Sequence, residues 1–298
     1  MFDSYNKYIV AYIDILGFKE LVNKSEINQK DFIKIHNALN KFTLLKSKKF
    51  WEEARILMSV EEDVQKKIET DFYIDHMVHC SCFSDGVIIA VEAGEKINER
   101  CSALIALLAK ISNELLREKI AIRGAISYGN LFINDSSDIY LGNALIEAYT
   151  LESTISKYPR IILSANLIKE LNYPLLNKAD RMPYHQYIER FSDGTAGFSP
   201  LIYLQVMENA PDVLSEEELE KALNESLTAI TMGLDENIEC PYRYEKYSWL
   251  MERYNKLIIF NMSKNKIYTP DDVDSRHNIH FETVTRIKAK LNGVTQPY

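Results

Sequence analysis

Apolar residues dominate the start of the chain and then fall into helical spacing. A nearly unbroken apolar run over residues 7–13 predicts a strand in the centre of a sheet. Two helices are predicted next, over residues 18–22 and about 29–44, where FIKIHNALNKF carries apolar residues at helical intervals. Residues 45–72 are charged with scattered apolar positions, and we expect a helix with a mobile connection there.

Two hairpin-like patterns follow. Residues 77–91 hold strand-like runs on either side of Asp85 and Gly86, a dipeptide that favours a tight turn. Residues 120–133 predict two further strands that meet near Gly129. Because hairpins pair strands antiparallel, most of the sheet is expected to be antiparallel.

Helices and single strands complete this part of the chain. In order, the patterns predict a helix over 96–117, a helix that starts after Gly142, a strand over 160–164, a short helix over 165–171, and strands over 184–191 and 200–207. Hairpins mixed with helical crossovers indicate an α+β fold of the ferredoxin-like type, with a mixed sheet and helices on one face.

The pattern changes after about residue 209, where every periodic segment is helical. Ser215 with Glu218 three residues later has the form of a capping box, which predicts a helix start. We therefore expect two domains, a sheet-containing domain over 1–208 and a helical extension over 209–298.

The composition is that of a globular, net acidic protein. The 298 residues are 46% apolar and 26% charged, enough for one large domain or a domain with a sizeable extension. A formal net charge of −8 argues against a nucleic-acid partner or an anionic membrane. A small phosphorylated ligand stays compatible if a cation screens its charge.

Cysteine usage and hydropathy indicate a cytoplasmic protein. No apolar run reaches the about 18 residues needed to span a bilayer. The first residues lack a basic segment followed by an apolar one, so no signal peptide is expected. Four cysteines without a framework spacing predict reduced thiols.

Asp14 is a carboxylate at the end of an otherwise apolar strand. An unpaired buried carboxylate costs several kcal/mol, so Asp14 either faces water or meets a cation. Asp85 lies at the tip of the predicted hairpin, and the two side chains converge if that hairpin lies beside the first strand. Two carboxylates with a carbonyl such as that of Ile15 suit Mg²⁺, which prefers hard oxygens plus substrate phosphates. Each aspartate alone is also compatible with a local turn or cap role.

Four short motifs, in this order, resemble those of class III nucleotidyl cyclases. They are DILGF at 14–18, FSDGVIIAV at 83–91, RGAISYG at 123–129 and GNALIEAYTLE at 142–152. The resemblance covers about residues 5–206 and implies the catalytic fold of that family, a ferredoxin-like α+β domain.

The resemblance implies a metal-dependent reaction. Asp14 and Asp85 would bind two Mg²⁺ or Mn²⁺ ions per site, with help from the Ile15 carbonyl. The ions would hold a nucleoside triphosphate and activate its ribose 3′-hydroxyl, which attacks the α-phosphorus and releases pyrophosphate. Enzymes of this family act as head-to-tail dimers with each site at the interface, so a homodimer is expected.

The sequence departs from the family at positions that contact the nucleotide. An Asn and an Arg that touch the ribose and the transition state are replaced by Ile146 and Thr150, so another cation must substitute. Arg123, Arg160 and Arg190 are the candidates, and Arg123 is assigned the catalytic role. The expected nucleotide-binding residues are Gly17, Phe18, His79, Ile139, Thr150 and Arg190.

His79 and Ile139 fall where the family selects a purine, and neither reproduces the adenine or guanine pattern. With its helical extension, the chain is therefore similar to the pyrimidine cyclases of bacterial phage defence (Pycsar). This resemblance implies conversion of UTP or CTP to cyclic UMP or cyclic CMP, a second messenger for a separate effector. Two alternatives stay open: a catalytically inactive nucleotide-binding module that regulates a partner, and a purine cyclase with altered contacts.

Overall fold

A computed structural model describes residues 5–58, 78–174 and 182–263. The strands are β1 (Asn6–Ile15), β2 (Val78–Phe83), β3 (Gly86–Glu92), β4 (Ile122–Asn134), β5 (Ile139–Leu141), β6 (Ile161–Leu163), β7 (Glu189–Arg190) and β8 (Ala196–Phe198). The α-helices are α1 (Phe18–Ser25), α2 (Gln29–Thr43), α3 (Lys48–Met58), α4 (Ile97–Arg117), α5 (Asn143–Thr154), α6 (Ala165–Glu170), α7 (Ile202–Met207), α8 (Glu216–Glu236) and α9 (Pro241–Ser263).

The described strands form one mixed, mostly antiparallel sheet with helices, which confirms the predicted α+β fold class. The strand order is β2-β3-β1-β4-β6-β8-β7, and β5 pairs with β4. β1 lies between β3 and β4 and runs antiparallel to both, whereas β4 and β6 are parallel. The first strand is therefore central, as its apolar sequence predicts.

Helices cover both faces of the sheet, so the expectation of helices on one face is wrong. Ile9 and Ile13 point to one face of β1 and are fully buried. Val10 points to the other face, where it packs in a cluster with Ala144 and Ala148 of α5. A strand that is buried on both faces needs apolar residues at every position, which explains the unbroken run.

Two strand predictions were wrong, those for residues 120–133 and 200–207. Residues 120–133 hold one strand, β4 (Ile122–Asn134), rather than two, because Gly129 pairs with Tyr8 inside the ladder and does not interrupt it. Residues 200–207 contain α7 instead of a strand. Its apolar run is almost entirely buried, and periodicity cannot separate a buried helix from a buried strand in so short a run.

The region before α7 also differs from its prediction. Residues 184–191 were expected to form one strand, but a 3₁₀ turn, Pro183–Gln186, precedes the short strand β7. The sequence pattern missed β8. Its Gly197 lies so close to β6 that an added Cβ would be 2.2 Å from the Ile161 carbonyl oxygen. Only glycine permits that approach, and glycine weakens the strand signal.

The chain divides into two compact units, Met1–Leu219 and Glu220–Tyr298, with the division inside α8. The start of α8 confirms the capping box, since the Ser215 N–H donates to Glu218 Oε2 at 2.9 Å and the Glu218 N–H donates to Ser215 Oγ at 3.3 Å. The domains proposed from sequence, 1–208 and 209–298, stay a prediction about independent folding. Residues 59–72 and 264–298, also assigned from sequence, lie outside the described residues.

No helix in the part of the chain that the structure describes has the length and apolar character needed to cross a bilayer.

Candidate functional site

The sheet places Asp14, near the end of β1, next to the β2–β3 turn that holds Asp85. Asp14 pairs with Gly86 of β3, and the Ile15 N–H donates to the Asp85 carbonyl oxygen at 3.2 Å. Asp85 follows Ser84 in the two-residue turn between β2 and β3, so the turn is Ser84-Asp85 and not the predicted Asp85-Gly86. The φ of +56° at Ser84 is the positive value that such a turn requires at its first position.

Tyr12 marks where the carboxylates converge. Its pKa is raised, first by burial and then by the negative charges of Glu152, Asp14 and Asp85. Its hydroxyl also lies over Gly86, where an added Cβ would be 2.7 Å from the Tyr12 oxygen. Carboxylates from β1, the β2–β3 turn and α5 therefore lie within electrostatic reach of one hydroxyl.

Arg123 supplies the cation that meets Asp14. It faces Asp14 across the β1–β4 ladder, and its Nε–H donates to Asp14 Oδ2 at 2.9 Å. The same nitrogen lies 2.8 Å from Oε1 of Glu152, which is 3% exposed. Sequence reasoning missed Glu152. A signal was present, because Ala144, Ala148 and Glu152 are four residues apart and share one face of α5.

The charge and chemistry of this cluster fit a hard divalent cation. The three carboxylates of Asp14, Asp85 and Glu152 outnumber the guanidinium of Arg123, which pairs with Asp14 and Glu152. Oxygen donors of this kind are those that Mg²⁺ and Mn²⁺ prefer. Within the described ranges no three His, Cys, Asp or Glu side chains are grouped so that they could hold a metal ion. Asp14, Asp85 and the Ile15 carbonyl would therefore hold the ion together with substrate or water oxygens.

Gly17 and Phe18 follow the same strand end. Gly17 has a φ of +74° at the start of α1, a conformation that favours glycine, and Phe18 begins the helix. Both residues follow Asp14 within four positions of the chain, and their assignment as nucleotide contacts stays a prediction.

His79 lies on the same sheet face as Tyr12, further from Asp14. His79 pairs with Ala90 of β3, which in turn pairs with Val10 of β1. Val10 precedes Asp14 by four residues, which is about 13 Å along a strand. Its Nδ1 is 2.8 Å from Asp135 Oδ1, and its ring meets Tyr8 edge to face, with centroids 6.0 Å apart. Asp135 was not predicted, because only the path of the chain after β4 brings it to β2.

Comparisons with known proteins give structural likenesses, two of which are described below. The chain matches no protein-family model and no curated protein. It is similar to the monomeric guanylyl cyclase domain of the RhoGC fusion protein from the aquatic fungus Blastocladiella emersonii, with 16% identity and a TM-score of 0.39 over 66% of this chain and 96% of that one. It is also similar to the catalytic core of a rhodopsin-guanylyl cyclase with converted specificity in complex with ATPαS, with 15% identity and a TM-score of 0.36 over 66% and 98%. At these values the residues of the site itself must support any assignment of function.

Ile139, Ile146 and Thr150 lie on the outer surface of the same region. Ile139 begins β5 and is 48% exposed, and Ile146 of α5 is 60% exposed. The Thr150 hydroxyl donates to the Ile146 carbonyl oxygen at 2.7 Å. In the single chain, these positions therefore face away from the sheet side of α5, where Glu152 lies.

Of the three candidate arginines, the structure brings only Arg123 to Asp14. Arg160, which was a candidate only, is 2% exposed and forms an ion pair with Asp193. Arg190 lies on β7, at the sheet edge opposite β2, with β6 and β8 between it and β4. Within one chain, the predicted nucleotide contact of Arg190 does not form at the Asp14 cluster.

Proposed function

We propose that the chain is a nucleotide cyclase that converts a nucleoside triphosphate to the 3′,5′-cyclic nucleotide and pyrophosphate. The observation that supports this proposal is the pairing of Asp14 with the Asp85 turn at one end of the sheet, beside Arg123. Two bound Mg²⁺ or Mn²⁺ ions would screen the triphosphate and lower the pKa of the ribose 3′-hydroxyl.

The proposed roles follow from the positions of the side chains. Asp14, Asp85 and the Ile15 carbonyl would hold the ions, and Arg123 would stabilise negative charge on the phosphates as they separate. The 3′-oxygen gives its proton to a water molecule and forms a bond to the α-phosphorus, while the bond from that phosphorus to the pyrophosphate oxygen breaks and pyrophosphate keeps the electron pair. Gly17 and Phe18 lie at the same strand end as proposed nucleotide contacts.

We propose a pyrimidine, UTP or CTP, as the substrate. His79 is the side chain suited to contact the base edge, because Asp135 fixes its ring about 13 Å along the strand from the Asp14 pair. Ile139, Thr150 and Arg190 stay as proposed nucleotide contacts that require a second chain. The roles in phage defence, the separate effector and a cytoplasmic location belong to the same proposal. The location agrees with the four free thiols, Cys80, Cys82, Cys101 and Cys240.

We further propose that the active form is a homodimer. Large apolar side chains are exposed on the consecutive elements β5 and α5, a feature typical of association surfaces. They are Ile139, Leu141, Ile146 and Tyr149. A second copy would cover them and bring its own residues toward the Asp14 cluster.

The test is incubation with each of the four nucleoside triphosphates and Mn²⁺ or Mg²⁺, with products read by mass spectrometry. Pyrophosphate with cyclic UMP or cyclic CMP supports the proposal, and cyclic AMP or cyclic GMP identifies a purine cyclase. Replacement of Asp14 or Asp85 by Asn should lower turnover at least about 100-fold, since each removes a proposed metal ligand. Asp212→Asn, an exposed aspartate outside the cluster, is the matched control and should leave turnover unchanged.

One observation favours a catalytically inactive module as the second candidate. Ile146 and Thr150 provide neither an amide nor a cation where the resembled family has an Asn and an Arg, and the Thr150 hydroxyl already donates to the helix backbone. Nucleotide binding without a cyclic product from all four substrates would select this alternative.

A further inference from the structure

A single N–H of Arg123 lies between two carboxylates. Its Nε carries one hydrogen, which it donates to Asp14 Oδ2 at 2.9 Å. Oε1 of Glu152 lies 2.8 Å from the same nitrogen. One hydrogen cannot point at both oxygens with good geometry, so the donor has a second acceptor already within reach.

The two acceptors belong to different parts of the fold. Asp14 and Arg123 are held opposite each other by the β1–β4 ladder. Glu152 comes from the last turn of α5, which packs on β1 and β4 through Ala144 and Ala148. The side chains of Asp14, Arg123 and Glu152 are 18%, 19% and 4% exposed, so solvent screens their charges only in part.

A divalent cation at Asp14 would meet the guanidinium on the same carboxylate. Two positive charges on one partly buried group repel, which weakens metal binding unless the guanidinium turns to another acceptor. Glu152 offers that acceptor without a change of backbone, because its oxygen is already in contact distance of Nε.

We infer that Arg123 is a resident counter-ion which a divalent cation displaces from Asp14, and that Glu152 is the positioning residue that receives it. The inference depends on the metal assignment within the proposed function. Arg123 is then neutralised by Glu152 in the metal-bound state and oriented beside the phosphates. In the metal-free state it prevents repulsion between Asp14 and Asp85.

The experiment is a Mn²⁺ titration without nucleotide, in which free Mn²⁺ is measured by electron paramagnetic resonance. We expect Glu152→Gln to weaken Mn²⁺ binding about tenfold, because Arg123 then stays on Asp14. Arg123→Gln should tighten binding several-fold. Glu147→Gln, on the same helix but hydrogen-bonded to Asn166, is the matched control and should bind as the wild type does.

The double variant separates this mechanism from a simple effect of charge. If Glu152 acts only through Arg123, then Glu152→Gln has no effect in the Arg123→Gln background. An equal or larger loss of affinity in that background would overturn the inference, since Glu152 would then act on the ion directly.

A second measurement avoids dependence on the folding of the Arg123→Gln variants. In the NMR spectrum, the Nε–H resonance of Arg123 is assigned by its loss in Arg123→Lys. We expect this resonance to shift when Mg²⁺ is added to the wild type. In Glu152→Gln it should not shift. No shift in wild type would overturn the inference.

Failure of the inference and failure of the proposed function have different signatures. The inference is overturned if the wild type does not bind Mn²⁺, or if Asp85→Asn binds it as the wild type does. The assay with four nucleoside triphosphates still tests cyclase activity in either case. The expected Mn²⁺ pattern without any cyclic product would support the inference and reject the cyclase.

Discussion

Cys82 carries a thiol whose pKa is lowered toward neutral pH. It is exposed on β2, two residues from the buried Cys80. A hydrogen bond from the Cys80 thiol, aided by the charge of Lys46, lowers the pKa of Cys82 from 9.0 to about 7 although burial opposes the change. Thiolates, not thiols, react with alkylating agents.

We predict that Cys82 is alkylated by iodoacetamide at a rate that rises with pH and is half-maximal at about pH 7. Well below this midpoint nearly all of the thiol is protonated and slow, and well above it nearly all is thiolate, so the rate reaches a plateau. Peptide mass spectrometry at pH 5–9 measures the rate for each cysteine. Cys101, which is fully buried, should stay unmodified in the native protein.

The control is Cys80→Ala, which removes the donor and should move the midpoint for Cys82 to higher pH. A midpoint near 9 in wild type, or one that Cys80→Ala leaves unchanged, would contradict the assigned hydrogen bond.

Individual site residues were predictable where the signal is local. Asp14 and Asp85 could be placed side by side because an apolar strand and a tight turn are local patterns that antiparallel pairing brings together. Glu152 and Asp135 could not be, since each meets its partner only through the path of α5 or the end of β4. The sequence shows an amphipathic helix face but not what that face contacts.

At the scale of elements, the β7–β8 hairpin is tied to the start of β6 by one ion pair. Arg160 is 2% exposed and pairs with Asp193 in the β7–β8 turn. Burial would raise the pKa of Asp193, but hydrogen bonds from Arg160 and Thr195 outweigh it and lower the pKa from 3.8 to about 2.

We predict that Asp193→Asn lowers the free energy of unfolding by about 1–3 kcal/mol at pH 7. This loss of stability is smaller than that expected from breaking a fully buried ion pair, because the Asp193 side chain is 43% exposed. A lowered carboxyl pKa stabilises the fold above the unfolded pKa, and this stabilisation is lost as the pH falls toward 2. Urea denaturation at pH 7 and pH 3 should therefore give a smaller difference at pH 3.

Asp212→Asn serves as the control and should change the free energy of unfolding little at either pH. A wild-type advantage over Asp193→Asn that stays constant down to pH 3 would mean that the Arg160–Asp193 pair does not carry the effect.

Elements with a long periodic pattern were predictable, and short ones were not. The 21 residues of α4 and the ten of β1 each carry a repeated signal. The six residues of α7 are too few to show a period, and β8 has three residues with a glycine in the middle. Their conformation is decided by packing, which local propensity does not report.

At the scale of the whole molecule, the predictable part is the fold class, and the strand order is not. Hairpins separated by helices specify an α+β sheet, but the neighbours of β6 depend on a parallel crossover and on the short strand β8. Assembly is a further step, because exposed apolar residues in one chain show a surface without showing what covers it.

We predict that the protein dimerises through β5 and α5, and that Ile146→Glu weakens the dimer at least about tenfold. A carboxylate at this 60% exposed position would be buried without a partner in the interface, whereas it is solvated in the monomer. Sedimentation velocity over a range of concentrations measures the effect. Ile238→Glu is the matched control, since Ile238 is 69% exposed but lies in the second unit, and should leave association unchanged. If both variants dimerise as the wild type does, the surface that joins the copies lies elsewhere. If turnover per chain also stays constant when the protein is diluted, each site is complete within one chain.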